Sequence, residues 1–477
     1  MNLVKKISRI AGGLLLLILI LVFALIFQEQ HSLSYLKIAE QADWQQRDYL
    51  IKNVHVVPMT ADTVLADQMV HLQDGLIVEI ASQIELSEIP VIDGKGGYLM
   101  PGLTDMHVHV WDSQELGLYL ANGVTTVRNL WGQPMHLRMK ESIRKGELLG
   151  PDFYTSGPKL TGPDYPGDDN LQLLSVDQAR EKVASYKARG YDFIKTYNGL
   201  TPELFEAILE ECRIQDIDIA AHPSSALPYA AHLREEIVSV EHSEDIVQQA
   251  LNYQLDTAGL ARVVADYASF PSSAHCPTLV VYYNIYRLLT EEQILEAPDL
   301  DFMNPLIRMV DSEAQYQRWT TAEKNDSLLA HKILAQHRFH LLAVRKLQEA
   351  GVNLVAGTDA GIGITPAGVS MHQELAFYRE AGLSPYEALQ TATVNPAKTH
   401  DFLTNTGTVE VGKKANLVLV QSNPVEDPDT MREPEGVWVG GRYISREQLE
   451  AFTGHARERN NLLPSALRYA EYLLRER

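Results

Sequence analysis

The pattern of hydrophobic and polar positions changes period along the chain, and each change predicts a different element. An uncharged run covers 10–27, directly after Lys5, Lys6 and Arg9. As a helix rising ~1.5 Å per residue it reaches roughly 27 Å, close to the ~30 Å core of a bilayer. The run predicts an N-terminal transmembrane helix, and the cations before it place the N-terminus in the cytoplasm. Phe27-Gln28-Glu29-Gln30 follows, with no small-x-small cleavage site. An uncleaved signal anchor over 1–30 is therefore expected, with a cleaved signal peptide as the alternative. A polar juxtamembrane linker covers 31–48.

The period then shortens. Residues 49–57, 68–72 and 76–80 carry β-branched residues in partial alternation, and Asp74-Gly75 marks a tight turn. They predict a small all-β unit over 49–100. From Pro101-Gly102 onward, strand patterns alternate with helical ones. Strands are predicted to end at His109 and over 123–129, 152–157, 191–197, 216–222, 237–242, 276–282 and 352–359. Between them, Leu204, Phe205, Ile208, Leu209 and Cys212 recur at helical spacing behind Thr201-Pro202, a cap and a first-turn proline. A long, mostly helical insertion is predicted over 284–349. Ser384-Pro385-Tyr386-Glu387 reads as a capping box. β-type sequence returns within 403–445, and 446–477 is polar and helix-prone.

Repeated strand–helix units imply a parallel sheet, and eight of them suggest closure. The predicted fold is α/β. A (β/α)8 TIM barrel over 101–402 carries a small β-sandwich domain built from 49–100 and 403–445. An N-terminal transmembrane helix and a C-terminal helical tail over 446–477 complete the chain.

Composition narrows the picture. The chain has 477 residues, 45% hydrophobic, and a formal net charge of -21. A strongly acidic chain lacks the basic face that nucleic acid requires, so no nucleic-acid partner is expected and a small-molecule substrate is. The two cysteines, Cys212 and Cys276, form no metal or redox pattern. With the anchor, the expected location is a bacterial inner membrane, single-pass, with the catalytic domain in the periplasm. A secreted or soluble periplasmic form is the alternative if the signal is cleaved. A homo-oligomer stays open.

Candidate chemistry sits at the strand ends, where barrel active sites are built. His107 and His109 are two apart, so on one strand they face the same side. Lys195, His222, His242 and Asp359 end four other strands. Histidine is the commonest metal ligand, and six ligand-capable side chains at strand ends are difficult to ascribe to packing.

With these residues in view, the chain resembles the amidohydrolase superfamily over about 49–444. The stretches that carry the resemblance are Pro101-Gly102-Leu103-Thr104-Asp105-Met106-His107-Val108-His109, Val240-Glu241-His242, Ala356-Gly357-Thr358-Asp359-Ala360-Gly361 and the closing segment 407–418. Phe193-Ile194-Lys195-Thr196-Tyr197 and Glu387-Ala388-Leu389-Gln390-Thr391-Ala392-Thr393 are similar to the imidazolonepropionase-like and Xaa-Pro dipeptidase (prolidase-like) branch.

The resemblance implies a binuclear site. His107, His109 and Asp359 would hold one divalent ion, and His222 and His242 the other, zinc being expected for both. Lys195, carboxylated by carbon dioxide to a carbamate, would bridge them. A lysine ammonium beside two cations is repelled, whereas its neutral amine can add carbon dioxide and offer carboxylate-like oxygens. The implied catalytic residues are Asp359, Lys195 and His242. The implied reaction is cleavage of a C–N (amide or peptide) bond, of a dipeptide or an N-acyl amino acid, by a metal-bridging hydroxide. A cyclic amide or lactone hydrolase and a mononuclear deaminase are the alternatives within the superfamily, and a non-catalytic scaffold conflicts with the intact ligand set. His222-Pro223-Ser224 and Arg128-Asn129 depart from the family's His-Ala-His and Arg-Asp. Tyr197, Arg128 and Tyr282 are the candidate substrate contacts.

Overall fold

The computed structural model describes residues 2–165, 167 and 170–476. A helix, Asn2–Ser32, begins the chain. Many side chains of the expected 10–27 span lie outside the described residues. Among the described residues, no helix is long and apolar enough to cross a membrane.

The early β unit comprises β1 (Tyr49–Val56), β2 (Leu65–Gln73), β3 (Leu76–Ala81) and β4 (Val91–Pro101). The barrel strands follow: β5 (Leu103–Val108), β6 (Val124–Asn129), β7 (Asp152–Thr155), β8 (Lys159–Thr161), β9 (Asn170–Gln172), β10 (Phe193–Thr196), β11 (Asp218–Ala221), β12 (Ile237–Glu241) and β13 (Ala274–Cys276). Three late strands, β14 (Leu417–Val420), β15 (Gly436–Val439) and β16 (Arg442–Ser445), return to the first unit. They join it in one seven-stranded sheet, ordered β16-β15-β14-β4-β1-β2-β3. The expected sandwich is thus a single mixed sheet with its own core, which includes Ile51, Val54, Val56, Val70, Leu417 and Trp438.

The barrel closes through short parallel pairings. β5, β6 and β7 form one sheet, and β10 to β13 run in order in another. A bridge between Ser156 and Phe193 links the two. The last member, expected as a strand over 352–359, forms no ladder; it touches β13 at His275–Leu354 and β5 at Val108–Ala360. Backbone bonds complete this seam: Val355 N donates to His275 O at 3.0 Å, and Asp359 N to His107 O at 2.7 Å. Two glycines permit the approach. A Cβ at Gly357 would overlap His107 and Cys276, and one at Gly361, with φ at +98°, would overlap the His109 carbonyl. Asp105 locks the same seam, accepting from Thr358 N at 3.0 Å and Thr358 Oγ1 at 2.7 Å.

The helix Pro202–Gln215 follows its sequence signals. Thr201 caps it by accepting from Leu204 N, and the apolar stripe is buried. Each such side chain contributes roughly 1.5–3 kcal/mol by leaving water. Ser384 and Glu387 form the expected capping box.

One expected strand is corrected. The run 276–282 ends as a strand at Cys276, and Leu279–Thr290 is a helix. A short apolar run fits either period. Here the first two free amide groups of the helix, Leu279 N and Val280 N, are taken by the buried carboxyl of Glu374 at 3.0 and 2.8 Å, nearly a hundred residues away. The short strands β8 and β9 were not expected. The C-terminal stretch forms two helices, Arg446–Arg457 and Leu462–Glu476.

Candidate metal centre

The seam brings β5 and the 352–360 segment together, and their end residues meet. Asp359 Oδ1 lies 2.7 Å from His109 Nε2 and 3.2 Å from His107 Nε2. Neither contact has hydrogen-bond alignment, and the oxygen is buried without a hydrogen-bond partner. Donor atoms of His107, His242 and Asp359 all lie within 4.8 Å of one another. The rings of His222 and His242 are 4.8 Å apart, as are those of His107 and His242. The six expected residues therefore include five that cluster by direct contact.

Lys195 is the penultimate residue of β10, 1% exposed, with no hydrogen-bond partner for Nζ. Burial lowers its pKa to about 8, against the pull of Glu241 and Asp359, and Arg128 and Lys159 lower it further. Burial likewise pushes His109, His222 and His242 below the ordinary histidine range. A neutral imidazole is the ligand form. Burial alone would raise Asp359, but His107 and His109 beside it hold it well below the carboxylate range. An orphaned buried amine, an unpartnered carboxylate oxygen and neutral histidines fit a metal ion.

Around this set runs a chain of buried partners. His107 Nδ1 meets Glu241 Oε2 at 2.8 Å. Arg128 Nη2 donates to Glu241 Oε1 at 2.8 Å and Arg128 Nη1 to Ser239 Oγ at 2.9 Å. Arg128 Nε donates to Met106 O, so the side chain spans β5, β6 and β12. Arg128, expected as a candidate substrate contact, is fully buried, and its donors are committed to the strands that carry the candidate ligands. Glu241 and His242 both reach His107 although adjacent strand residues face opposite sides. His242 leaves strand geometry, with φ 69° and ψ 105°, a strained conformation of the kind that functional sites retain. Its Nδ1 meets Thr278 Oγ1 at 2.9 Å, and Thr278 also has a positive φ.

Tyr197 lies where the period-2 rule puts it, its ring 4.3 Å from the His222 ring. Lys159, which sequence reasoning missed, sits over Tyr197 at 4.5 Å on the unexpected strand β8. Tyr282, the other candidate substrate contact, stands on the helix Leu279–Thr290, 4% exposed, packed on the His340 ring. His275 is engaged at both nitrogens, by Ser243 Oγ at 2.8 Å and Tyr267 OH at 2.9 Å. Asp245 was also missed. It is 3% exposed and its Oδ2 lies 3.5 Å from His222 Nε2.

With the barrel and this cluster established, the chain belongs to the amidohydrolase family, whose match spans residues 98–444. Its family makes it a hydrolase of carbon–nitrogen bonds in small molecules. It is 23% identical over 412 residues to ochratoxinase of Aspergillus niger, covering 72% of this chain and 75% of that one. It is 25% identical over 402 residues to 5'-deoxyadenosine deaminase of Methanosarcina acetivorans, covering 78% and 84%. Among solved structures, a bottromycin amidohydrolase superposes with a TM-score of 0.72 at 23% identity, covering 90% of this chain and 95% of that one. A Xaa-Pro dipeptidase with bound methionine superposes at 0.61 and 19% identity, covering 83% and 100%.

Proposed function

We propose that the protein hydrolyses the amide bond of a dipeptide or an N-acyl amino acid at a centre of two divalent ions, zinc in each position. The observation that carries this reading is Lys195: a buried amine without a partner, its pKa lowered to about 8. A mononuclear site gives such a lysine nothing to do, and an unpartnered buried polar group costs roughly 1–3 kcal/mol. As the carbamate it has work. The neutral Nζ attacks the carbon of carbon dioxide, an N–C bond forms, one C=O π pair moves to oxygen, and the nitrogen releases a proton. The product carries a negative charge and two oxygen donors.

His107, His109 and Asp359 would hold one ion, and His222 and His242 the other, with the Lys195 carbamate between. When bound, the ions supply Lewis acidity and an acidified water. The chain's own residues supply the rest. Asp359, ionised by its histidine neighbours, accepts a proton on its free oxygen and returns it to the leaving nitrogen. Tyr197, whose ring lies 4.3 Å from that of His222, would donate its phenol proton to the carbonyl oxygen as charge develops there. Glu241 and Arg128 keep the His107 ring in one orientation.

The test is metal analysis joined to a substrate panel. Two ions per chain and turnover of dipeptides or N-acyl amino acids support the reading. One tightly bound ion with turnover of an aminated heterocycle would replace it with the deaminase alternative.

We also propose that the helix Asn2–Ser32 anchors the protein in a bacterial inner membrane, with the barrel in the periplasm. Three cations precede an uncharged run within that helix, which supports this placement. Alkaline carbonate washing of cell membranes should leave the protein in the pellet. Release of a shortened soluble form would mean the segment is cleaved.

A further inference from the structure

Three of the four candidate ligand histidines have one ring nitrogen beside a partner outside the ligand set. His107 uses Nδ1 toward Glu241, and His242 uses Nδ1 toward Thr278. Both thereby leave Nε2 to face an ion. His222 is arranged the other way round. Its Nε2 faces Asp245, and its Nδ1 is buried without a hydrogen-bond partner.

We propose that Asp245 is the positioning residue of His222: its carboxylate accepts the Nε2 proton, so that the Nδ1 lone pair is presented to the second ion. This rests on the two-ion reading above. A ligand imidazole needs its second nitrogen protonated and held, because that bond fixes the tautomer and the ring orientation and raises the basicity of the donor atom.

The surroundings of Asp245 suit this task. Its Oδ1 accepts from Gln249 Nε2 at 3.1 Å, and the same amide lies 2.9 Å from the carbonyl of Pro223, the residue after His222. Gln249 therefore ties the carboxylate to the backbone that carries the ring. Asp245 Oδ2 is buried and carries no hydrogen bond. The group it faces is His222 Nε2, at 3.5 Å, just outside the usual length of a hydrogen bond, so a small rotation of the ring closes the contact. Asp245 also ends the short helical turn Ser243–Asp245, which begins at His242. One turn thus supplies a ligand to the second ion and the partner of the other ligand.

The three supports differ in strength. Glu241 is itself clamped by Arg128, Thr278 is neutral, and Asp245, whose pKa is pushed well up by burial and by neighbouring Glu244, is steadied by the Gln249 amide. Loss of such a support typically costs 10- to 100-fold in metal affinity.

The experiment titrates zinc into metal-free, full-length wild type and Asp245→Asn, in bicarbonate buffer, against a chromophoric chelator. The expected result is two ions in both proteins, with the weaker step reduced about 10- to 100-fold in the variant and the tighter step unchanged. Asp245→Glu should restore most of the lost affinity, which a packing defect would not allow. The cobalt-loaded variant should show an altered visible spectrum for one ion. Wild-type affinities in Asp245→Asn overturn the proposal. So does equal weakening of both steps, which marks general damage, or a stoichiometry of one in the variant, which marks a direct ligand. A single ion in the wild type overturns the two-ion reading, and this proposal with it.

Discussion

Arg128 Nη2 and Glu241 Oε1 form an ion pair at 2.8 Å with side chains 1% and 0% exposed. The pair is out of reach of solvent. It stands directly behind the candidate metal centre, since the other Glu241 oxygen meets His107. Burial alone would raise Glu241; Arg128 and His107 hold it well below the ordinary range.

Removing one partner of a buried pair leaves the other charge stranded, at a cost of about 3–5 kcal/mol. Arg128→Ala should therefore lower the unfolding free energy by that order in a urea titration and weaken metal binding. A variant with unchanged stability and a raised KM would restore Arg128 to the substrate site.

Lys195→Ala should lose at least one ion and fall in kcat by more than about 100-fold, as removal of a metal-centre group does. Acetate or propionate at high concentration should recover part of the activity, because a carboxylate can stand in for the carbamate. Full activity in the variant without added acid contradicts the carbamate.

Lys195 also predicts a pH dependence for the metal-free protein. Burial lowers its pKa from 10.5 to about 8. Between those values the unfolded chain binds a proton that the folded chain releases, so stability rises with pH across this window. Below about pH 8 the full penalty, about 3 kcal/mol, is present. The urea midpoint of the metal-free protein should climb between pH 8 and 10, and that of Lys195→Met should climb less. Parallel curves would contradict this.

The link between the two C-terminal helices also reaches toward the candidate centre. The Arg459 side chain, 1% exposed, meets Asp112 Oδ2 at 3.1 Å and Glu115 Oε1 at 3.5 Å. Glu115 accepts from Trp111 N, and Trp111 Nε1 donates to Gly361 O at 2.7 Å, two residues after Asp359. Arg459→Ala should lose about 3–5 kcal/mol of stability and lower kcat through misplacement of Asp359. Unaltered stability, measured by thermal and urea unfolding, would mean the cluster tolerates an unpaired Asp112.

Strand ends were legible where the chemistry followed a simple period. His107 and His109 obey alternation, and Lys195 with Tyr197 do too. Glu241 beside His242 was not readable as a site pair, because alternation forbids both from facing inward, and the positive φ of His242 cancels that rule. The Leu279–Thr290 helix was hidden for a different reason: its cap, Glu374, is remote in sequence, and no local signal announces it. Arg128 looked like a recognition residue because a strand-end arginine suits a carboxylate. The carboxylate it meets belongs to the protein.

The residues proposed to hold the first ion come from β5 and from the segment that closes the barrel, some 250 residues later in the chain. Until the chain has grown past Asp359 and that segment has slotted between β13 and β5, His107 and His109 have no third partner. On the two-ion reading, a nascent or truncated barrel would lack the third of these three residues and could not assemble the first ion's site.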